Sequence, residues 1–258
     1  MKDGPRAIAT LPAQAPCTLQ SPIPARNDNS RMSVNRLATL LSIIAGMVDI
    51  TGFLTMGHLL TAHVTGNLVL LSADIAREGT ARAVQIAIVP VFMVAVAAAW
   101  GVAQTATRKG LSATQALLWI QFLLLFAVLG LCTMRNTGGE PWDAVALIAV
   151  FAMGCQFALL RIALPGSPST AAMTGNVTDV VLSLLNMLSR DPSSNNGSRE
   201  RLQRSAQVLL GFLGGCLIAA LAVKLVRELA WALPTALALL AVRMAPRPII
   251  AVRIGPGG

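Results

Sequence analysis

The segment Thr61-Ala62-His63-Val64-Thr65-Gly66-Asn67-Leu68 recurs later in the chain as Thr170-Ala171-Ala172-Met173-Thr174-Gly175-Asn176-Val177. Five of the eight positions are identical, and two others exchange one aliphatic residue for another. Both copies lie in apolar surroundings. A polar motif repeated at equivalent places in an apolar chain is typical of membrane proteins built by internal duplication. The sequence therefore predicts two homologous halves, each carrying a Thr-Gly-Asn triplet.

The composition around these motifs indicates a membrane protein. Of the 258 residues, 55% are hydrophobic and 12% are charged, against a charged share of about 25% in soluble domains. Several apolar runs are about 21 residues long, which matches the hydrocarbon thickness of a bilayer. We therefore predict an all-α fold, a polytopic transmembrane helix bundle of six to eight spans. The runs are Leu37–Gly57, Val84–Gln104, Ala113–Thr133 and Ala144–Leu164, followed by Gln207–Lys224 and Leu229–Val242.

The same pattern divides the chain into four parts. Residues 1–35 are rich in Pro, Ser, Asn and Arg, lack an apolar run, and are predicted to form a disordered cytoplasmic tail. Met32, just before the first run, is an alternative start. Residues 36–135 form the first membrane repeat, residues 136–245 the second, and residues 246–258 a short basic tail.

The positively charged residues behind the net charge of +9 lie at positions that determine membrane topology. Lys and Arg lie in the tails and short connectors, without the interleaved aromatic residues of a nucleic-acid surface. We expect these residues to contact anionic lipid headgroups, and no nucleic acid. The positive-inside rule predicts that both termini are cytoplasmic. It does not decide between eight spans, with both motif segments crossing, and six spans, with both re-entrant.

No residue pattern for a cofactor, a metal or an enzyme is visible. Cysteines are scattered, without a CxxC pair, and His58 and His63 are too far apart to share a helical face. The sequence shows no phosphate-binding loop and no nucleophile beside a base. We expect no cofactor, no metal and no catalytic site.

One carboxylate lies within the first apolar run. Asp49 is flanked at helical spacing by the small residues Ala45, Gly46 and Gly52, which allow another segment to approach closely. A carboxylate inside a membrane costs about 2.5–3.5 kcal/mol on insertion scales. It is interpreted either as a proton or solute site, with His63 as a pH-sensitive partner, or as a structural group that pairs with His63 or caps broken backbone.

The repeated triplets are the candidate solute site. We expect Gly66 and Gly175 to break their helices, and the two motif segments, Ala62–Ala76 and Thr170–Leu188, to pack against each other near the centre of the bundle. Exposed half-helix N-termini would favour an anionic solute. A packing role between helices explains the same residues equally well. The predicted solute-binding residues are Asp49, Thr65, Gly66, Asn67, Gln156, Thr174, Gly175, Asn176 and Asp179, with Asp49 and His63 as the proton-coupling pair.

Two ordered signatures resemble those of the YoaK-like family of bacterial multi-pass membrane proteins of unknown function. The first is Gly46–Phe53 followed by His63–Asn67, and the second is Phe151–Gln156 followed by Thr170 and Met173–Asp179. The resemblance covers roughly residues 36–245. It implies a bacterial inner-membrane protein with about six spans. Phe157 stands where the family tends to have Asn, so a polar site using that Asn would be altered here.

Two functions follow from these residues. The first is a secondary transporter or facilitator of a small polar or anionic solute, with Thr65, Asn67, Thr174 and Asn176 lining a midplane site. The second is a non-transporting scaffold or partner subunit whose motifs only pack helices. Expected partners are membrane lipids and a small solute. A second copy of the chain is a further partner that the sequence leaves open.

Overall fold

The protein is an all-α bundle, as predicted from the apolar runs. The computed structural model describes residues 28–76, 83–134, 143–163, 173–189 and 195–245, and no strand occurs among them. A short 3₁₀ segment, Arg227–Trp231, precedes the last helix. The helices are α1 (Asp28–Thr55), α2 (Val64–Ala76), α3 (Ala83–Arg108), α4 (Ala113–Met134), α5 (Asp143–Ile162), α6 (Met173–Leu188), α7 (Asn195–Val226) and α8 (Ala232–Met244).

Five stretches are long and apolar enough to cross a bilayer. They are Met32–Thr55, Ala83–Arg108, Ala113–Met134, Asp143–Ile162 and Gly197–Met244, the last containing both α7 and α8. The helices that carry the motifs are shorter. With 13 residues in α2 and 16 in α6, they measure about 20 and 24 Å, below the 30 Å of a hydrocarbon core.

Helices α1 and α5 form the centre of the bundle. In each of them 72% of the most apolar window is buried, against a third or less in the other spans. Their main partners are the third helices of the opposite halves, because α1 packs most extensively on α7, and α5 on α3. Each central helix thus buries its surface against the other half of the chain.

Glycines bring α1 and α7 into backbone contact. A Cβ at Gly46 would collide with the carbonyl oxygen of Phe212, and a Cβ at Gly215 with that of Ile43. Farther toward the helix N-termini, the Ser42 hydroxyl donates to the Val208 carbonyl at 2.6 Å. Residue numbers rise together along both helices, so α1 and α7 run parallel.

The chain reverses after α7. Arg227 has a left-handed φ of 50° at the start of the 3₁₀ segment, where helix α7 ends. Trp231 then lies near Thr55 at the end of α1, whereas Met244 lines a cavity with Met32 and Arg36 at its beginning. Helix α8 therefore runs antiparallel to α1, and the start of α1 and the end of α8 lie at the same end of the bundle.

Two helices begin in polar residues ahead of the apolar runs that predicted them. Helix α1 begins at Asp28, inside the predicted 1–35 tail, and α7 begins at Asn195, ahead of the run that starts at Gln207. An apolar run locates the part of a helix that meets lipid, while the helix itself can continue into polar residues in water. Residues 1–27 and the predicted tail 246–258 lie outside the described residues.

The two motif helices do not pack on each other as expected. Helix α2 packs on α3, and α6 packs on α7, while extensive contact between α2 and α6 is absent from the described part of the bundle. Each short helix packs on the long helix that follows it in the chain. The expectation that the motif segments meet at the centre is therefore wrong.

Candidate functional site

The site begins where α1 ends and the chain turns back. Gly57 and His58 both adopt left-handed backbone conformations, with φ of 74° and 63°. The His58 N–H donates to the Phe53 carbonyl at 3.0 Å, which closes the helix end. Residues 56–63, here named the return segment, then pass back alongside α1 before α2 begins at Val64.

Helix α1 holds the return segment through two side-chain contacts. One oxygen of Asp49, Oδ1, accepts a hydrogen bond from the Ala62 N–H at 2.7 Å. The Thr61 hydroxyl donates to the Val48 carbonyl at 3.1 Å. Gly52 makes room for this approach, because a Cβ there would lie 3.0 Å from the Thr61 methyl carbon. The predicted close approach beside Asp49 is thus made by two partners, α7 at Gly46 and the return segment at Gly52.

The second oxygen of Asp49 pairs with an imidazole. Asp49 Oδ2 lies 2.5 Å from His63 Nδ1. The Asp49 side chain is 6% exposed, whereas that of His63 is 25% exposed and packs edge-on against Phe212 at a ring distance of 5.1 Å. Asp49 is six residues before the end of α1, about 9 Å along the helix axis. The pair therefore lies inside the span Met32–Thr55, about midway between its centre and its C-terminal end.

Asn67 braces the return segment from its other side. Its side-chain oxygen accepts the Leu60 N–H at 2.9 Å, and its side-chain nitrogen donates to the Leu60 carbonyl at 2.5 Å. Asn67 is completely buried. Because an unpaired backbone group in a membrane costs several kcal/mol, these bonds allow irregular backbone to lie beside α1.

The structure corrects the predicted position of the helix break. Gly66 and Gly175 were expected to interrupt their helices, but each lies in the first turn of α2 or α6. The break in the first half is the return segment, which precedes Thr65. Asp49 and Asn67 bond the backbone of residues 60, 62 and 63 there, and the glycine that the break does use is Gly57, with its left-handed φ.

The remaining motif residues are less closely associated. Thr65 is exposed and Gly66 half-buried, and Thr174 and Gly175 are both exposed. Asn176 is buried, with its side-chain nitrogen 3.8 Å from the Met173 sulfur. Asp179 is half-buried on α6. The structure thus brings Asp49, His63 and Asn67 together and leaves the second triplet on a separate helix.

Gln156 belongs to a different polar cluster. It is fully buried, donates to the Leu41 carbonyl at 3.0 Å, and accepts from the Gln121 amide at 2.6 Å. Gln121 was not among the predicted site residues. It lies in the middle of the predicted run Ala113–Thr133. A polar residue inside an apolar run is the same indication that identified Asp49.

The contacts of the two histidines differ. His58 packs edge-on against Phe53, with ring centroids 4.9 Å apart, whereas His63 pairs with Asp49. Within the described residues, no group of three or more His, Cys, Asp or Glu side chains is placed to hold a metal ion. The chemistry available at the site is that of a hydrogen-bonded carboxylate–imidazole pair, which can bind and release a proton.

Comparison with known proteins places this chain in a family. A family model described as "Protein of unknown function (DUF1275)" matches residues 37–245. The chain is 25% identical, over 188 residues, to the UPF0700 transmembrane protein YoaK of Bacillus subtilis (strain 168). That match covers 72% of this chain and 82% of the relative. No solved structure matches the chain.

Proposed function

This chain belongs to the DUF1275 family, and from that premise we propose that it is a secondary transporter or facilitator of a small polar solute. It is a multi-pass membrane protein, as its apolar helices and its transmembrane relative indicate. The observation that carries the proposal is the Asp49–His63 pair beside a non-helical segment within the membrane span. Ionisable groups at such places are costly and commonly mark ion or proton pathways.

The two oxygens of Asp49 support a role beyond bracing. Oδ1 accepts the Ala62 N–H at 2.7 Å and the His63 N–H at 3.4 Å, and both bonds serve the backbone of the return segment. Oδ2 contacts the His63 ring, and this contact satisfies no backbone group. The second copy of the motif has Ala172 at the corresponding position. The imidazole is therefore an addition to the shared framework, and we assign it to proton handling.

Protonation of this pair changes the charge beside the return segment. A carboxylate with a neutral imidazole carries one negative charge, whereas a carboxylate with an imidazolium is neutral overall. In a medium of low dielectric such a change has a large effect on nearby dipoles. Because the Ala62 N–H is bonded to the same carboxylate, the proton would bias the position of the return segment and of α2. This coupling is the proposed basis of proton-linked transport.

Asp49 also bears on the charge of the solute. Its carboxylate lies beside residues 62 and 63, immediately before the N-terminus of α2, where a helix dipole favours an anion. A negative group is already present at the place where an anionic solute was predicted to bind. We therefore favour a neutral or cationic polar solute, reaching the pair along exposed Thr65 and the exposed part of His63.

The packing pattern is consistent with two duplicated halves. If the two halves are aligned in chain order, α1 corresponds to α5 and α3 corresponds to α7. The contact of α1 with α7 then corresponds to that of α5 with α3, and α2 with α3 to α6 with α7. Glycines occur at both central contacts, since Gly154 lies against Phe92 and Ala95 of α3 as Gly46 lies against α7. We propose that the halves are related by an approximate twofold axis.

We also propose a bacterial inner-membrane location with both chain ends cytoplasmic. Both ends of the described chain lie at one end of the bundle, where Lys and Arg of the flanking segments would satisfy the positive-inside rule. In this arrangement α1, α3, α4, α5 and α7 cross the membrane, and α8 crosses together with the preceding 3₁₀ segment Arg227–Trp231. Helices α2 and α6 enter the membrane only in part.

A non-transporting scaffold is the second candidate. Asp49 and Asn67 form four hydrogen bonds with the backbone of residues 60, 62 and 63. A motif that serves only to hold the return segment would show these same bonds. This candidate predicts that no water-filled path reaches His63 and that the chain moves no solute.

Thiol labelling and flux measurements distinguish the two candidates. In a Cys-free background, Thr65→Cys is treated from each side with a membrane-impermeant thiol reagent, and Leu210→Cys on an exposed face of α7 serves as the lipid-facing control. Transport predicts labelling of residue 65 from one side and none of residue 210. Proteoliposomes containing pyranine then report proton movement during a screen of sugars, amino acids and amines. An unlabelled residue 65, with no flux for any solute, would reject transport in favour of the scaffold.

A further inference from the structure

A second polar site lies far from Asp49, at the end of the bundle where α1 and α7 begin. A half-open cavity of about 420 Å³ lies there between the two helices. A neighbouring cavity of about 310 Å³ shares Met32 and Arg36 and adds Met244 of α8. Small-molecule sites commonly occupy about 300–1,000 Å³, so either space can hold a headgroup-sized ligand.

The cavity lies where the kind of residue between α1 and α7 changes. At Gly46 and Gly215 the two backbones touch. About three helical turns nearer the N-termini, the residues that line the cavity from the two helices are mostly long and polar. These residues are Asn35 and Arg36 on α1 and Glu200, Gln203, Arg204 and Gln207 on α7. The contact between the two helices thus has glycine at one end and arginine and glutamine around a cavity at the other.

The charged residues of this cavity are incompletely paired. Arg204 forms an ion pair with Glu200 one turn earlier on α7, but its Nε is buried and has no hydrogen-bond partner. Arg36 has neither an ion-pair nor a hydrogen-bond partner anywhere in the described chain. A buried donor without a partner costs about 1–3 kcal/mol. Arg36 therefore has its donors available for a ligand, Arg204 lines the same cavity with one unsatisfied donor, and the net charge of the lining side chains is positive.

We propose that this cavity binds the phosphate of an anionic phosphate ester, with Arg36 and Arg204 as its ligands. Guanidinium groups suit phosphate because they present several donors in one plane. The amides of Asn35, Gln203 and Gln207 can donate to the ester and headgroup oxygens, while Glu200 stays paired with Arg204. Exposed Met32 at the rim provides apolar surface beside the site. A phospholipid headgroup and a soluble phosphate ester share this chemistry.

The test measures ligand-dependent thermal stability of the full chain in dodecylmaltoside. Three ligands are titrated: phosphatidylglycerol, phosphatidylcholine and glycerol 3-phosphate. The variants are Arg36→Gln, Arg36→Lys and Arg204→Gln. Arg201→Gln is the matched control, because Arg201 is exposed on the same helix but lines neither cavity. Arg36 is itself exposed, so its replacement should leave folding intact.

The expected result is stabilisation by phosphatidylglycerol, with half-saturation shifted upward about tenfold in Arg36→Gln and Arg204→Gln, the change for one lost charged contact. Arg201→Gln should match the wild type, and Arg36→Lys should fall between. Equal stabilisation by glycerol 3-phosphate supports the site and identifies a soluble ester as its source. A shift that is the same in Arg201→Gln, equal stabilisation by phosphatidylcholine, or no stabilisation by any ligand overturns the proposal. The outcome is independent of whether the chain transports a solute.

Discussion

The side chain of Asn67 forms two hydrogen bonds with the backbone of Leu60, accepting from its N–H at 2.9 Å and donating to its carbonyl at 2.5 Å. An amide side chain here replaces the partner that a helix or a neighbouring strand would normally provide. The return segment is consequently held on both sides, by Asn67 from α2 and by Asp49 from α1. Asn67 of the first Thr-Gly-Asn motif therefore has a defined structural role, whatever solute the protein handles.

Replacing Asn67 should destabilise the protein much more than replacing its neighbour in the motif. Asn67→Ala leaves both polar groups of Leu60 without partners, which we expect to cost about 1–3 kcal/mol. Thr65→Ala alters an exposed side chain and should change stability by less than about 0.5 kcal/mol. Unfolding of the detergent-solubilised variants measures the difference. Equal stability of the two variants would show that the bonds to Leu60 are not maintained.

Variants of Asp49 should separate its hydrogen bond to the return segment from the effect of its negative charge. Asp49→Asn retains an oxygen that can accept the Ala62 N–H, whereas Asp49→Ala retains none. We expect Asp49→Ala to unfold at a lower temperature than Asp49→Asn, with a difference of about 1–2 kcal/mol. In proteoliposomes, both variants should have lost any proton-linked flux. Wild-type flux in Asp49→Asn would exclude the carboxylate charge from the transport mechanism.

His63→Ala should remove the pH dependence of solute flux and keep the hydrogen bond between Asp49 and the return segment. The second motif has alanine at this position, and the bond between Asp49 and the Ala62 N–H does not involve the ring. We expect the variant to fold with a loss of no more than about 2 kcal/mol, because one partly exposed charged contact is removed. Its solute flux, measured between pH 5 and 8, should have lost its dependence on pH. A pH profile unchanged from that of the wild type would remove His63 from proton coupling.

The glycines between α1 and α7 allow a test with a control from the same helix. A Cβ at Gly215 would collide with the backbone of Ile43, whereas a Cβ at Gly214 would have nothing within 4 Å. Gly215→Ala should therefore force the helices apart and cost about 1–3 kcal/mol or more. Gly214→Ala should be neutral or stabilising by up to about 1 kcal/mol, because alanine favours the helix. Thermal melts in detergent report both values, and similar losses in the two variants would contradict the observed contact.

The two buried glutamines should show unequal and coupled effects. Gln156→Leu removes the partner of Gln121 and of the Leu41 carbonyl, whereas Gln121→Leu removes a group whose own oxygen already lacks a partner. We expect Gln156→Leu to be the more destabilising, by about 1 kcal/mol. The double variant should cost less than the sum of the single ones, as a double-mutant cycle in the same unfolding assay would measure. Strict additivity would mean that the two amides are not bonded.

Much of the fold could be predicted because bilayer thickness constrains the chain strongly. The run Ala113–Thr133 became α4, Ala113–Met134, and the small residues beside Asp49 do allow two close approaches. Helix boundaries in polar flanks, such as the start of α7, could not be predicted, because apolar content carries no information there.

The geometry of the site was harder to predict than its residues. Asp49, His63 and Asn67 were identified, but the position of the break depends on hydrogen bonds to residues 7 and 13 positions away. Gly66 was a reasonable candidate for the break because glycine weakens helices, yet glycine is also tolerated in a first turn. The pairing of α1 with α7 was not predictable, because lipid-facing and helix-facing apolar residues look alike in a single sequence.

The pairing of α1 with α7 has a consequence for biogenesis. The ribosome completes α1 long before α7, its principal partner, has been synthesised. During that interval the glycine surface of α1 faces lipid or the insertion machinery, whereas Asp49 can already form its hydrogen bonds with the return segment. Final assembly must therefore follow insertion of the second half, and a nascent chain halted after α4 would leave both central contacts unmade. Ribosome stalling at that point should yield a product that quality-control proteases recognise.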